Sequence, residues 1–117
     1  MKYILLVMGF REGEGMPVPP TTGEPNPEEF DAYVRETERA GVSVDWGVAG
    51  PYEEGTSVQV DPTGERLVTN GPFAESREYL GGWNLIDVPD LDAALEWAGK
   101  HPGAKYGRIE VRPWMKF

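Results

Sequence analysis

Apolar residues along this chain fall into short runs that are typical of β-strands. Residues 3–8 (Tyr-Ile-Leu-Leu-Val-Met) form one unbroken apolar run that stops at a glycine, and its length favours a strand covered on both faces. Apolar and polar residues alternate over 42–48 and again over 108–112, which is the period of a strand. A fourth apolar strand is predicted at 83–88, directly after two glycines.

Two further strands are predicted to form a hairpin in the middle of the chain. Residues 57–60 and 66–69 flank the tetrapeptide 61–64, Asp-Pro-Thr-Gly. Asp, Pro and Gly occupy the first, second and fourth turn positions, as a type I turn prefers. The two runs are therefore predicted to pair in antiparallel fashion.

The spacing of apolar residues predicts a first helix after Asn26. Pro27 suits the first helical position, and Glu29 stands where a capping box requires an acidic residue. Apolar residues recur with helical spacing after this point, and Gly41 is expected to end the helix. The preceding residues 11–25 are rich in Gly, Pro and Glu and are predicted to form a long loop.

A second helix is predicted between Asp90, as its N-cap, and Gly99, as its end. The order of elements is then that of an α+β, ferredoxin-like sandwich with an extra β-hairpin. Two helices cover only one face of such a sheet, whereas the first strand is apolar on both faces. A second copy of the chain is the simplest cover for the other face, so we expect a homodimer.

Composition narrows the classes of function. The 117 residues suit a single domain, 1–117. The chain has no cysteine and one histidine, which excludes disulfide frameworks, thiolate nucleophiles and multi-histidine metal sites. A net charge of −9 argues against nucleic acid and anionic membranes as partners. We expect a cytoplasmic protein without a secretory signal, a metal site or a cofactor.

The segment 69–78 (Thr-Asn-Gly-Pro-Phe-Ala-Glu-Ser-Arg-Glu), followed by Leu-Gly-Gly at 80–82, resembles the motif of the YCII-related family. The resemblance extends to residues 1–6, 86–98 and 107–113, and it is greatest to the branch named for an Asp-Gly-Pro-Phe motif. It implies a ferredoxin-like unit that dimerises into an α/β barrel. The family's biochemical function is largely unassigned, so the resemblance implies a fold without a reaction.

The chain departs from the family pattern at two places. The Asp of the motif is Asn70 here, so a carboxylate is replaced by a neutral amide. Small YCII relatives pair a His near the start of the first helix with an Asp of an Asp-Pro step. Here that step is His101-Pro102, and the helix start offers Glu28 and Glu29, so the pair is either exchanged or lost.

These residues form the candidate site, expected in a single cleft. His101 and Glu29 are the candidate acid/base pair, with Glu29 expected to raise the pKa of the imidazole. The candidate ligand-binding residues are those of the motif turn and two strand tryptophans: Asn70, Gly71, Pro72, Phe73, Trp46 and Trp83. Each also has a structural interpretation, as a turn residue, a core plug or an interface aromatic.

Two functions of different classes follow. The first is a homodimer that binds a small organic molecule, with cofactor-free proton transfer on a carbonyl compound as its chemistry. The second is a non-catalytic regulatory or protein-interaction module, because the resemblance includes domains found fused to or beside sigma-factor-like regulators. At −9 such a module would contact protein and not DNA.

Overall fold

The computed structural model describes residues 1–13, 15–16, 18–19, 21, 23, 26–71 and 77–116. Along the chain these form β1 (Lys2–Phe10), α1 (Pro27–Arg39), β2 (Ser43–Val48), a 3₁₀ turn (Tyr52–Glu54), β3 (Thr56–Val60), β4 (Arg66–Asn70), β5 (Glu78–Asp87), α2 (Leu91–Lys100), α3 (Gly103–Tyr106) and β6 (Gly107–Pro113).

The strands form two antiparallel sheets. The larger has the order β2-β5-β1-β6, and the smaller consists of β3 and β4 alone. The predicted α+β class with an extra hairpin is confirmed, and the strand order is compatible with a ferredoxin-like fold. No described helix is both long and apolar enough to cross a bilayer.

The first helix begins as the sequence predicts. The Asn26 side chain accepts a hydrogen bond from the Glu29 backbone N–H at 2.9 Å, and Gly41 follows the helix in a left-handed conformation. In α2 the Asp90 cap is also confirmed. The predicted end at Gly99 is wrong, because the helix continues through Lys100 and is capped at His101.

The helices pack on one face of the larger sheet. Tyr3 and Leu5 of β1 pair with Ile86 and Asn84 of β5, so these side chains share that face. Tyr3, Leu5 and Ile86 form one buried cluster with apolar residues of α2. This cluster is the core of the fold, and Leu5 at its centre is 0% exposed.

The opposite face of the sheet is also apolar. It carries the alternate residues of β1 together with Trp83, whose indole lies within 3 Å of where a side chain on Gly47 of β2 would begin. A charged ladder borders this face along β6, where Arg108 bonds Glu78 and Glu110, and Arg112 bonds Glu110. The described core helices pack on the other side, so this second apolar face stays without a helical cover.

The hairpin of β3 and β4 projects from the rest of the chain. Its turn is fixed by Asp61, whose carboxylate accepts hydrogen bonds from the backbone of Thr63 and Glu65. The Thr63 hydroxyl also donates to this carboxylate, at 2.6 Å, and this bond together with the backbone bonds favours the charged form, so the pKa of Asp61 lies below its ordinary value. The predicted hairpin and turn are both confirmed.

Candidate functional site

His101 lies buried at the end of α2, with 2% of its surface exposed. Its Nε2 is 3.1 Å from Oδ1 of Asn84 on β5, and its Nδ1 accepts a hydrogen bond from the Gly103 N–H at 2.9 Å. Both nitrogens of the ring are therefore engaged, one with the sheet and one with the first residue of α3.

This geometry selects one form of the imidazole. Because Gly103 donates to Nδ1, the ring proton belongs on Nε2, where it is donated to the amide oxygen of Asn84. A second proton on Nδ1 would face the Gly103 N–H and break that bond. Burial lowers the pKa of His101 to about 4, so the ring is neutral at pH 7.

Aromatic side chains of α1 complete the surroundings of His101. The rings of Tyr33 and Phe30 meet the imidazole edge-on, with centroids 4.6 and 5.6 Å away. The Tyr33 hydroxyl donates to the carbonyl of Trp97 at 2.8 Å, and burial raises its pKa. The cluster thus ties α1, α2, α3 and β5 together through groups that are neutral at pH 7.

Glu29 lies in the first turn of α1, and its predicted effect on His101 is wrong. Burial lowers the pKa of the imidazole instead of raising it. The Nε2 atom bonds to Asn84, and the Nδ1 atom accepts a hydrogen bond from Gly103. The Glu29 carboxylate instead lies 3.8 Å from Nζ of Lys105 in α3. Lys105 is exposed and Glu29 is half-buried, so solvent weakens this pair.

A cleft of about 310 Å³ opens at the end of the larger sheet, beyond the helices. Its lining consists of residues 49–53, Tyr79 and Gly81. The rings of Tyr52 and Tyr79 stack with centroids 4.6 Å apart, and the guanidinium of Arg11 lies 5.5 Å from the Tyr52 ring centroid. The cleft therefore offers aromatic faces, exposed backbone and a nearby cation.

Two backbone features shape this cleft. β5 carries one extra residue, Gly81, because Val7 pairs with Gly82 whereas Met8 pairs with Leu80. Such a bulge turns the strand locally and often lies beside a functional site. Beyond it, the Tyr79 ring lies directly on Gly9, within 3 Å of where a Cβ would be, so a larger residue at position 9 would displace the ring.

The motif segment begins and ends beside the cleft. Its Gly71 N–H donates to the carbonyl of Gly55 at 2.6 Å, next to the 3₁₀ turn that lines the cleft. At its other end the Arg11 N–H donates to the carbonyl of Arg77 at 3.0 Å. Asn70 ends β4, and the predicted ligand residues Pro72 and Phe73 lie outside the described residues.

The predicted site residues fall into separate surroundings. Asn70 and Gly71 stand at the base of the hairpin, whereas His101 is enclosed by α1, α3 and β5. The two tryptophans lie on opposite faces of the sheet: Trp46 is the partner of Asn84 on the helix side, and Trp83 covers Gly47 on the other side.

Sequence reasoning missed three residues: Tyr52, Tyr79 and Asn84. Tyr79 directly follows the motif and Tyr52 lies 17 residues before it, and the two stack only because the 3₁₀ turn meets the start of β5. Asn84 is a polar residue between the apolar residues Trp83 and Leu85, and it is buried. A buried amide requires a hydrogen-bond partner. The polar Asn84 in this apolar stretch is therefore the sequence signal from which a partner such as His101 could have been predicted.

Comparison with known proteins supports the family resemblance. A family model described as the YCII-related domain matches residues 21–117. An uncharacterized protein of Rhizobium meliloti (strain 1021) is 48% identical over 52 residues, which is 43% of this chain. The match spans only 42% of that relative's length. Since the family model covers most of the sequence, the chain belongs to the YCII-related domain family.

Proposed function

We propose that this chain is a homodimeric binding protein for a small organic molecule, held in the cleft between the 3₁₀ turn and β5. Within the YCII-related family we assign it to the branch with the Asp-Gly-Pro-Phe motif, on the strength of residues 69–78. The observation that supports this proposal is the position of the motif, which starts and ends at residues that adjoin this cleft.

The chemistry of the cleft favours a ligand with a carbonyl or carboxylate group beside a flat apolar part. The stacked rings of Tyr52 and Tyr79 offer a face for the apolar part. Exposed backbone at Gly50 and the guanidinium of Arg11 supply groups for the oxygen atoms. A cavity of about 310 Å³ is at the small end of ligand sites.

Binding is favoured over catalysis by the surroundings of His101. A general base must reach the substrate proton through a free lone pair, whereas Nδ1 of His101 already accepts from Gly103 and Nε2 bonds to Asn84. A pKa of about 4 also makes the ring a weak base at pH 7. His101 is thus better explained as a structural residue whose hydrogen bonds connect α3 to β5.

The homodimer is supported by the second apolar face of the sheet. Ile4, Leu6 and Met8 pair with Arg112, Glu110 and Arg108 of β6. This arrangement places an apolar stripe beside a rim of charge, as in the core and rim of protein interfaces. A second copy related by two-fold symmetry would cover the stripe with an identical stripe.

Light scattering tests the dimer directly. At micromolar concentration we expect about twice the chain mass of 13.0 kDa. A clean 13.0 kDa species would contradict the dimer and would leave the apolar face of β1 without an explanation.

Tyr52→Ala is expected to weaken ligand binding at least ten-fold, because it removes one ring of the stacked aromatic pair. Chemical-shift titration with pyruvate, acetoacetate and benzoate measures this, and the shifts should centre on residues 49–53, Tyr79 and Gly81. Trp114→Ala is the matched control, since Trp114 is an exposed aromatic that bonds to Lys2 at the opposite end of β1. Shifts elsewhere, or equal losses in both variants, would contradict the cleft as the site.

A protein-interaction module is the second candidate, and one observation favours it. The projecting hairpin exposes Val58, Val60, Leu67 and Val68, a composition suited to protein contacts. This function is distinguished by ligand titration, in which an interaction module would show no saturable shifts in the cleft.

A further inference from the structure

Charge is divided unevenly across the face of the larger sheet that lies away from the helices, here called the open face. The strand order is β2-β5-β1-β6, and residues directly opposite each other in neighbouring strands share a face. Among the described residues, the half formed by β1 and β6 carries three basic side chains and one acidic, namely Lys2, Arg108, Arg112 and Glu110. The half formed by β2 and β5 carries three acidic side chains: Asp45, Glu78 and Asp87. The open face therefore has a basic side and an acidic side.

One row of paired residues crosses the whole sheet and shows this polarity. Leu85 of β5 lies between Asp45 of β2 and Ile4 of β1. Ile4 in turn lies opposite Arg112 of β6. The row thus begins with an acid at one edge of the sheet, passes through two apolar residues and ends with a base at the other edge.

Asp45 is the acidic residue of the open face that forms no ion pair within the described ranges of the chain. Glu78 bonds Arg108, and Asp87 bonds the amine of Met1. The Asp45 side chain is exposed, and its Oδ1 accepts a hydrogen bond from the N–H of the next residue. Its charge is therefore available to a basic group from outside.

At the other end of the row, Arg112 shares its acidic partner with a second arginine. Nε of Arg112 donates to one oxygen of Glu110 at 2.6 Å, and Arg108 donates to the other oxygen at 3.2 Å. The Arg112 side chain is also 65% exposed. Two guanidinium groups thus divide one carboxylate, so Arg112 can pair with a further acid.

We propose that the two-fold axis of the dimer runs along the strands between β1 and β5, so that Arg112 of each subunit pairs with Asp45 of the partner subunit. The inference rests on the homodimer of the proposed function and adds the orientation of the two copies. A rotation about this direction exchanges the basic and acidic halves of the face and keeps every row at its own level. One ion pair therefore implies an identical second one.

The same rotation matches the apolar residues between the charged edges. Ile4 then faces Leu85 of the partner subunit, because these two residues are neighbours in one row, and Leu6 likewise faces Trp83 of the partner subunit. Packed sheets lie about 10 Å apart, and side chains of this size fill such a gap from both sides. The result is an apolar centre with charged pairs at the rim, as protein interfaces have.

The other two-fold arrangement of face-packed sheets is disfavoured by charge. With the axis across the strands, β6 lies against β6 of the partner subunit, and β2 lies against its own copy. The basic side of the open face then meets a basic side, and Asp45 lies on an acidic side that meets another acidic side. Like charges brought together at an interface oppose association, so the axis along the strands is the one that the charges favour.

Charge reversal at the two ends of the row tests the orientation. Asp45→Arg and Arg112→Asp are made as separate chains, and in each homodimer two like-charged contacts replace the two ion pairs. We expect sedimentation equilibrium to give a dissociation constant at least ten-fold above that of the parent for each variant. Mixing the two variants restores opposite charges at both contacts, so native mass spectrometry should show mixed dimers well above the statistical half of the population.

Lys100→Asp and Glu36→Arg are the matched control. This exposed pair joins α2 to α1 on the helix side of the sheet, and the charge changes are the same as in the test variants. The control chains should dimerise like the parent and mix statistically. Mixed and like dimers are compared between the same two chains, so a folding defect in either chain does not imitate a preference for the mixed dimer.

The outcomes separate the orientation from the dimer itself. A statistical mixture, or an Arg112→Asp homodimer as tight as the parent, overturns the axis along the strands and leaves the proposed dimer standing. A monomeric parent overturns both, while binding in the cleft is still judged by its own titration.

Discussion

Acidification from pH 7 to pH 4 is expected to lower the free energy of unfolding by about 3 kcal/mol through His101 alone. The pKa of this side chain is about 4 in the folded protein, against 6.5 for the unperturbed group. Well above pH 6.5 the ring is neutral in both states, so the titration of His101 does not lower the stability of the folded protein there. As the pH falls from 6.5 to 4, the unfolded chain takes up the proton first and becomes favoured.

The measurement is chemical denaturation across this pH range in the parent and in His101→Gln. Carboxylates also titrate there, so the informative quantity is the difference between the two proteins. The glutamine variant should be less stable at pH 7, because it cannot make both of the bonds of the imidazole, and its stability should depend less on pH. Parallel curves for the two proteins would mean that His101 titrates normally and lies less buried than the structure shows.

Leu5→Ala and Leu6→Ala are expected to have different effects although the two residues are adjacent. Leu5 is fully buried under the helices, so its truncation should cost about 2–5 kcal/mol of stability. Leu6 lies on the opposite face, opposite Glu110 and Trp83. Its truncation should chiefly weaken the dimer, at least ten-fold, or about 1.4 kcal/mol.

Denaturation at fixed concentration and light scattering on dilution separate the two effects. Leu5→Ala should unfold at lower denaturant while its folded form remains dimeric. Leu6→Ala should dissociate at a higher concentration than the parent. A Leu6→Ala variant that matches the parent in mass at every dilution would count against the sheet face as the interface.

Much of the fold was predictable because its signals are local. The cap at Asn26, the cap at Asp90 and the turn at Asp61 are each made by a side chain bonding to backbone within four residues. Local hydrogen bonds of this kind depend on the sequence alone. The apolar alternation likewise placed the strands, since a side-chain period of two needs no knowledge of the neighbouring strand.

The end of α2 shows where local signals fail. Gly99 has no contact that demands a stop, and the helix continues until His101, whose ring is bonded to Asn84 and Gly103. The bond to Asn84 joins the end of the helix to β5, so no sequence pattern near Gly99 predicts it. Tertiary contacts outweighed the preference of glycine for a helix end.

The sequence by itself determined the elements, the family and the apolar character of both faces of β1. Only the tertiary structure decided how the candidate residues meet. It gave His101 an amide partner in place of a carboxylate, separated Trp46 from Trp83, and stacked Tyr52 on Tyr79 beside the motif. The physical reason is that strand register and the bulge at Gly81 set which side chains share a face, and both depend on pairing between distant segments.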